Sequence, residues 1–512
     1  MKNRIFGIET EYGLLIKADN PDVSPSWVAR RIIQHLFGQK KHGVIDWHYR
    51  GHDEPPGNGG FLLNAGRMYV DMGHLEYASP ECHSLWDLVA VDRAGDLLLQ
   101  DCLEELGLSD QVKIIKNNID HETDATFGCH ENYLVSRDFP FNYQGLGLLM
   151  PFLVTRQVFT GAGRIGMARS MDMEGWIGLD DIEGRGGDRS RRSAEEVVIY
   201  QISQRPDYIV NDFFEWVQHN RAIVNTRDEP LADPERFRRL HLLMGDSNMA
   251  EETTLLKMGT TGLVLQLIEE GHAPQGLDFD DPVQTLRAIS RDSQREWMVT
   301  LSTGKHLSAL DIQEEFWEAA SKHYAGQDEE TDWVLAHWES VVKDLRKGYE
   351  AVVGRVDWAS KLWLLENFRE AEKLDWDDPW LKSLDLEYHN VDLQAGLYHG
   401  MAEEGDAPRF TTNDLVNLSK HTPPRNTRAF GRSEVIKHVV KEGWADFLEQ
   451  TAVHQDPRRP PYVINWSVLQ LQGSPVFVMA DPFRTYVQES RDYCAEGSSR
   501  LTFESQSSNK DH

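Results

Sequence analysis

The 512-residue sequence is poor in cysteine: Cys82, Cys102, Cys129 and Cys494 are its only four, and none stands at a paired spacing. That excludes a disulfide-built scaffold and a clustered thiolate metal site, and predicts reduced thiols in a cytoplasmic protein. Positive charge is also short, with 53 Lys and Arg against 83 Asp and Glu, a formal net charge of -30. Nucleic acid and anionic membrane surfaces repel such a chain, so neither is an expected partner. No apolar run reaches the length of a bilayer crossing, and Arg4 and Glu9 bracket too brief an apolar stretch to resemble a signal peptide. A Walker-type phosphate loop is missing as well: Gly161-Ala162-Gly163-Arg164 is too short and lacks the Gly-Lys-Ser/Thr ending.

What the chain has instead is carboxylate at strand spacing. Between Arg4 and Gly13, Glu9 and Glu11 lie two apart, so on a strand both point to one face, roughly 7 Å from each other. A second strand is predicted over Leu62 to Met72, where Arg67, Tyr69 and Asp71 again alternate, with Phe61, Leu63, Met68 and Val70 as the apolar complement. Glu76 and Glu81 follow. One Glu-x-Glu strand is ordinarily a solvated sheet face. Two such strands need a counter-charge, because carboxylates a few Å apart raise one another's pKa. Hard oxygen donors without a Cys or His cluster point to magnesium with a phosphate and away from zinc.

Strand-like and helical stretches alternate up to about Glu270, predicting an α+β fold on a large sheet, with a helix over Leu85 to Leu106 and a strand over Val112 to Ile115. A helix is predicted from Met249 to Glu269, with Asn248 as N-cap and Glu251 three residues on, and another from Asp332 to Val352. Polar, glycine-rich stretches at His48 to Gly60 and Gly166 to Ser193, the latter holding Arg185, Arg189, Arg191 and Arg192, are expected to be long surface loops. After Pro423 and Pro424 a helix is expected over Arg432 to Gln450, then strands at Tyr462 to Leu471 and Pro475 to Met479. The expected division is a large domain over residues 1–424, a small C-terminal domain over 425–495 and a disordered tail over 496–512.

Polar groups also gather at predicted strand ends: Lys116, Asn117 and Asn118; His130, Glu131 and Asn132; Asn225 to Glu229; and Arg239, His241, Gly245, Asp246 and Asn248. Arginines in such places suit carboxylate or phosphate recognition. Gly7-Ile8-Glu9-Thr10-Glu11-Tyr12-Gly13, Arg67-Met68-Tyr69-Val70-Asp71, Glu76-Tyr77 through Glu81-Cys82, His130-Glu131-Asn132-Tyr133, Asn225-Thr226-Arg227-Asp228-Glu229-Pro230 and Gly245-Asp246-Ser247-Asn248 make the chain resemble the PafA/Dop family over nearly its whole length. That family comprises the ligase and the deamidase/depupylase of the prokaryotic ubiquitin-like protein Pup. The resemblance implies a glutamine-synthetase-like fold whose curved antiparallel sheet cradles ATP and magnesium, and a Pup C-terminal Glu or Gln entering that cradle. By matching motif it implies Glu9, Tyr69 and Glu76 at the magnesium site, Arg67, Ser79 and Trp466 on the nucleotide, and Asp71 as the catalytic aspartate. Ser79 stands where ligases often carry Thr.

Within the family the motifs divide. Gly7 to Glu11, Ser247-Asn248-Met249 and Asp481-Pro482-Phe483-Arg484 look ligase-like. Trp47-His48-Tyr49 with Glu54-Pro55, Ser136-Arg137, Gln204 to Tyr208, Asp357 to Leu362, Gly396-Leu397-Tyr398 and a short turn between Asp71 and Glu76 look depupylase-like. The expectation is a Pup deamidase/depupylase in which Asp71 activates water or attacks the amide. The alternatives are a Pup-protein ligase, in which Asp71 takes a proton from a substrate lysine, a small-molecule carboxylate-amine ligase, and a catalytically silent binding relative, which the intact Glu9 and Asp71 argue against.

Overall fold

A sheet of ten strands forms the body of the protein; the computed structural model describes residues 4–17, 23–47, 55–120, 126–169, 196–215, 221–443 and 462–496. Its spine is β1 (Phe6–Ile16), in which Phe6, Ile8, Thr10 and Tyr12 are buried while Glu9 and Glu11 alternate with them, half-buried. The period of two thus separates a core face from a polar face along one strand. Around it lie β2 (Gly43–Ile45), β3 (Gly59–Leu62), β4 (Arg67–Asp71), β5 (His74–Ala78), β6 (Val112–Ile115) and β7 (Cys129–Ser136). Two strands, β8 (Arg164–Arg169) and β9 (Glu196–Gln201), form a separate antiparallel pair. The large sheet is completed by β10 (Asn211–Phe214), β11 (Ala222–Asn225) and β12 (Phe237–Leu242). Its order is β10-β11-β12-β7-β1-β5-β4-β3-β2, with β6 on the far half of β1, and β10–β11 is the parallel pair in this otherwise antiparallel array.

The core face is covered by helices. Leu85–Glu105 and Glu251–Glu269 pack in the main cluster with Phe6, Ile8, Tyr133 and Leu240, and Pro25–Gln34 covers Tyr12, Met68, Leu75 and Tyr77. Every residue from Glu251 to Ile268 is buried, so this is a core helix and not an amphipathic surface one. Its start differs from the expected Asn248 cap. The N-cap is Ala250, and Asp357 Oδ1, from another helix, accepts from the Met249 and Ala250 amides at 3.2 and 2.9 Å. Asn248 donates to Thr160 O at 3.0 Å instead.

Other boundaries shift for local reasons. Leu62 to Met72 is not one strand: β3 ends at Leu62 and the chain turns through Asn64, whose Oδ1 accepts from Gly66 N at 2.9 Å, before β4 begins. The helix expected to run to Val352 stops at Leu345 and resumes as a 3₁₀ turn, Tyr349–Val352. Gly166 to Arg169 belong to β8, and Gly59 and Gly60 to β3, so neither expected loop is as long as its composition implied. Residues 48–54, 170–195 with the four arginines, 444–461 and 497–512 lie outside the described residues, while Ala495 and Glu496 end a helical stretch over 487–496.

Beyond Pro424, helix Arg428–Lys441 and the antiparallel strands Tyr462–Ile464, Val468–Leu471 and Phe477–Val478 enclose a cluster that also takes in Val44, Phe61 and Ala65 of the large sheet. Tyr462 to Leu471 is therefore a hairpin. Arg428 Nε and Arg432 Nη1 both reach Glu81 Oε1, at 2.7 and 3.0 Å. Burial alone would raise the Glu81 carboxyl, but the two guanidinium groups bring it down to about 2. Glu81 is thus spent on anchoring this segment and is not part of a carboxylate metal cluster.

Candidate active site

The pairing register brings the polar face together residue by residue. Glu11 lies opposite Glu76, Tyr69 opposite the same Glu76, and Asp71 opposite His74. On the other side of β1, Glu9 lies opposite His130, and His241 of β12 opposite Asn132. Four segments far apart in sequence therefore place Asp71, Tyr69, Arg67, Glu76, Glu9, Glu11, His130, Asn132, His241 and Arg239 on one surface of one sheet.

Glu9 sits at the centre. It accepts from Asn132 Nδ2 at 3.1 Å, lies 3.3 Å from His130 Nδ1 and 3.5 Å from His241 Nε2, and has Arg239 Nη1 at 3.7 Å. Burial pushes its carboxyl up, but the hydrogen bonds with His130 and His241 and the neighbouring positive charge hold it well below the ordinary range. Burial and Arg239 in turn press His241 down to about 4, so its imidazole is neutral at pH 7. Ligand atoms of Glu9, His130 and His241 lie within 4.8 Å of one another. Glu11 is paired with His74 Nδ1 at 2.6 Å, and Gly128 makes room: a Cβ there would stand 2.6 Å from Glu11 Oε1 and 2.6 Å from His130 Nε2.

Glu76 has the opposite balance. Burial, then the charges of Glu9, Glu11 and Asp71, drive its carboxyl well above the ordinary range, and the hydrogen bond from the Tyr69 hydroxyl does not reverse this. A carboxylate forced toward its neutral form by burial and by three like charges is a site short of positive charge. Glu9 and Glu76, with Tyr69 at hand, could hold a divalent cation that relieves the repulsion. Burial keeps the Tyr69 hydroxyl protonated, so it works as the donor that orients Glu76. Arg67 is buried, stacks 4.2 Å from the Tyr69 ring and lies 3.7 Å from Asp46.

At the far end of the same face an open cleft is lined by Gly7, Glu9, Ser79, Asn132, Arg239 and Trp466. Ser79 Oγ accepts from Ile8 N at 3.0 Å, which fixes it at the cleft wall. Trp466 is held edge-on to Phe61 at 5.2 Å and under Arg432 at 5.0 Å. A flat aromatic wall, a hydroxyl and a guanidinium beside a carboxylate cluster suit a nucleotide whose phosphates point toward Glu9 and Glu76.

Against descriptions of known protein families, residues 4–448 match the Pup-ligase protein model. The chain belongs to the Pup-ligase family. It is 34% identical over 497 residues to a Pup–protein ligase of Acidimicrobium ferrooxidans, covering 94% of this chain and 96% of that one. The corresponding ligase of Xylanimonas cellulosilytica is 35% identical over 504 residues, with 95% and 97% covered. Among solved structures, the complex between the prokaryotic ubiquitin-like protein Pup and its ligase PafA matches with TM-score 0.77 and 31% identity over 99% of this chain and 94% of that one. PafA in complex with ADP matches with TM-score 0.71 and 30% identity, over 94% and 96%.

These likenesses correct the expected direction of the Pup-ligase chemistry: both relatives are Pup–protein ligases and both similar structures are of the ligase PafA, which supports ligation over deamidation or depupylation. Several segments that looked depupylase-like have structural roles in the fold. The short stretch after Asp71 is a two-residue hairpin turn fixed by the Asp71–His74 pairing. Arg205, from the Gln204 to Tyr208 motif, is buried and donates to Phe127 O at 2.6 Å. Asp357 caps a core helix, and Lys361 of the same motif is salt-bridged to Asp385 at 2.5 Å. The residues just after Trp47 lie outside the described ones.

Several polar clusters singled out in the sequence also prove structural. Lys116 pairs with Asp92 and Asp96, Glu131 with Arg156, and Asp246 accepts from the amides of Ala162, Gln204 and Arg205. The sequence reading missed the convergence of His130 and His241 on Glu9. The signal available was the alternation of polar residues at 130 and 132 and at 239 and 241, which carries no information on which strands become neighbours.

Proposed function

We propose that this protein is an ATP- and magnesium-dependent Pup–protein ligase, joining a side-chain carboxylate at the C-terminus of Pup or a Pup-like modifier to lysines of protein substrates. The reading is supported above all by the order of groups along one sheet face: the Ser79 and Trp466 cleft at one end, Glu9 and Glu76 between, and Asp71 at the other. Ligase relatives that match the chain end to end support the same direction.

Glu9, Glu76 and Tyr69 would hold magnesium, with Arg67, Ser79 and Trp466 on the nucleotide. When bound, these groups supply a transferable phosphoryl group and neutralise its charge, which activates a carboxylate toward amines. The chain's own residues do the rest. Arg67 and Arg239 offer guanidinium donors toward phosphate or carboxylate oxygens. Tyr69 keeps Glu76 in place through its hydrogen bond. Asp71, half-buried at the strand end, takes the proton of the incoming lysine as the isopeptide bond forms. The test supplies purified protein, ATP and magnesium with Pup ending in Glu and a lysine-bearing acceptor. A covalent conjugate with ADP release is expected; ammonia release from Pup ending in Gln, with no conjugate from Pup ending in Glu, would contradict the reading.

A further inference from the structure

The end of the polar face away from the nucleotide cleft is the hairpin between β4 and β5. Because Asp71 pairs directly with His74, the turn consists of Met72 and Gly73 alone, with φ of 45° and 96°. Both residues are left-handed, the arrangement in which Asn, Asp and Gly are the usual occupants of a two-residue hairpin. Gly73 fits without penalty. Met72 does not, because a Cβ clashes with the backbone in this region.

Met72 is also 62% exposed and belongs to none of the apolar clusters of the protein. The strand residue that closes the turn is held in place: His74 is tied to Glu11 at 2.6 Å, and its ring lies 4.7 Å from that of Phe127. A strained, exposed thioether therefore stands next in the chain to the proposed proton acceptor, on a two-residue turn and outside the apolar clusters.

We propose that Met72 is a specificity residue for the protein acceptor. Its flexible, polarisable side chain gives an adaptable apolar contact for the surface around an incoming lysine and for that lysine's methylene stem. The inference rests on the ligase reading above.

The test compares Met72→Asn, Met72→Gly and Met72→Leu in the full chain, with a lysine-bearing protein and with hydroxylamine as acceptors. Met72→Asn and Met72→Gly are expected to raise the thermal midpoint, because the strain is relieved. They should lower kcat/KM for the protein acceptor about tenfold, mainly through KM, as expected for a lost apolar contact. Hydroxamate formation should stay within about twofold, and Met72→Leu should retain the protein acceptor. Unchanged kcat/KM for the protein in the Asn and Gly variants, or an equal loss with hydroxylamine, would overturn the role of Met72 while leaving the ligase reading intact. Failure of the parent enzyme to form either product would overturn the ligase reading and this inference with it.

Discussion

Asp71 ends its strand half-buried, its charge helps to raise the Glu76 carboxyl, and its pairing with His74 sets where it stands. Asp71→Asn keeps the shape and removes the proposed proton acceptor. Conjugate formation is expected to fall by about a thousandfold or more while nucleotide affinity, followed by calorimetry, stays within a few-fold. Glu9→Gln exchanges a charged group for a neutral one between two imidazoles. It should weaken magnesium-dependent ADP binding by about tenfold or more at fixed magnesium, and equal affinity would remove Glu9 from the metal site. At this scale the sequence was informative wherever one strand sufficed. Glu9 with Glu11, and Tyr69 with Asp71, follow from a period of two within a segment. Glu81 was misjudged because its partners, Arg428 and Arg432, lie 347 and 351 residues away, and no local pattern announces such a pair.

Secondary-structure elements explain how these groups are held. Helix Arg428–Lys441 is clasped to the turn after β5 by Glu81, and that clasp has a pH signature. The Glu81 carboxyl is lowered in the fold from 4.5 to about 2, so its stabilisation is fully present above about pH 4.5 and is lost as pH falls toward 2. The shift corresponds to roughly 3 kcal/mol. Glu81→Gln should destabilise the protein by about 3–5 kcal/mol in denaturant titrations at pH 7, because two buried guanidinium groups lose their partner, and should flatten the acid limb below pH 4.5. A parallel acid limb in the variant would show that the clasp contributes nothing. The long helix Leu85–Glu105 was legible from its periodicity, and the short strand Val112–Ile115 from its apolar run. The start of Glu251–Glu269 was not, since its amides are satisfied by Asp357 from a distant helix and not by a neighbour in sequence.

On the scale of the whole molecule, the sheet and the C-terminal segment form one working unit, because Trp466 reaches the cleft only through a cluster shared with Val44, Phe61 and Ala65. Ending the chain at residue 424 would strip that cluster and leave Glu81 without its arginines. The truncated protein is expected to lose cooperative unfolding or several degrees of thermal midpoint, and to lose ADP binding; retained binding would show that the cleft is complete without Trp466. The α+β architecture was legible in the alternation of strand-like and helical stretches and the family in ordered motifs, but the direction of the reaction was not, since ligation and hydrolysis would use the same Glu9, Glu76 and Asp71. Among the described residues no helix is long and apolar enough to cross a membrane, and the strongly acidic composition sets this enzyme against polyanionic partners. The central claim is that this polar sheet face drives amide formation by activating a carboxylate with ATP. It is tested most directly by following the isotope from Pup carrying ¹⁸O in its C-terminal side-chain carboxylate, given ATP, magnesium and a lysine-bearing acceptor. The account predicts conjugate together with inorganic phosphate that has gained one ¹⁸O per bond formed, whereas unlabelled phosphate, or no conjugate at all, would contradict it.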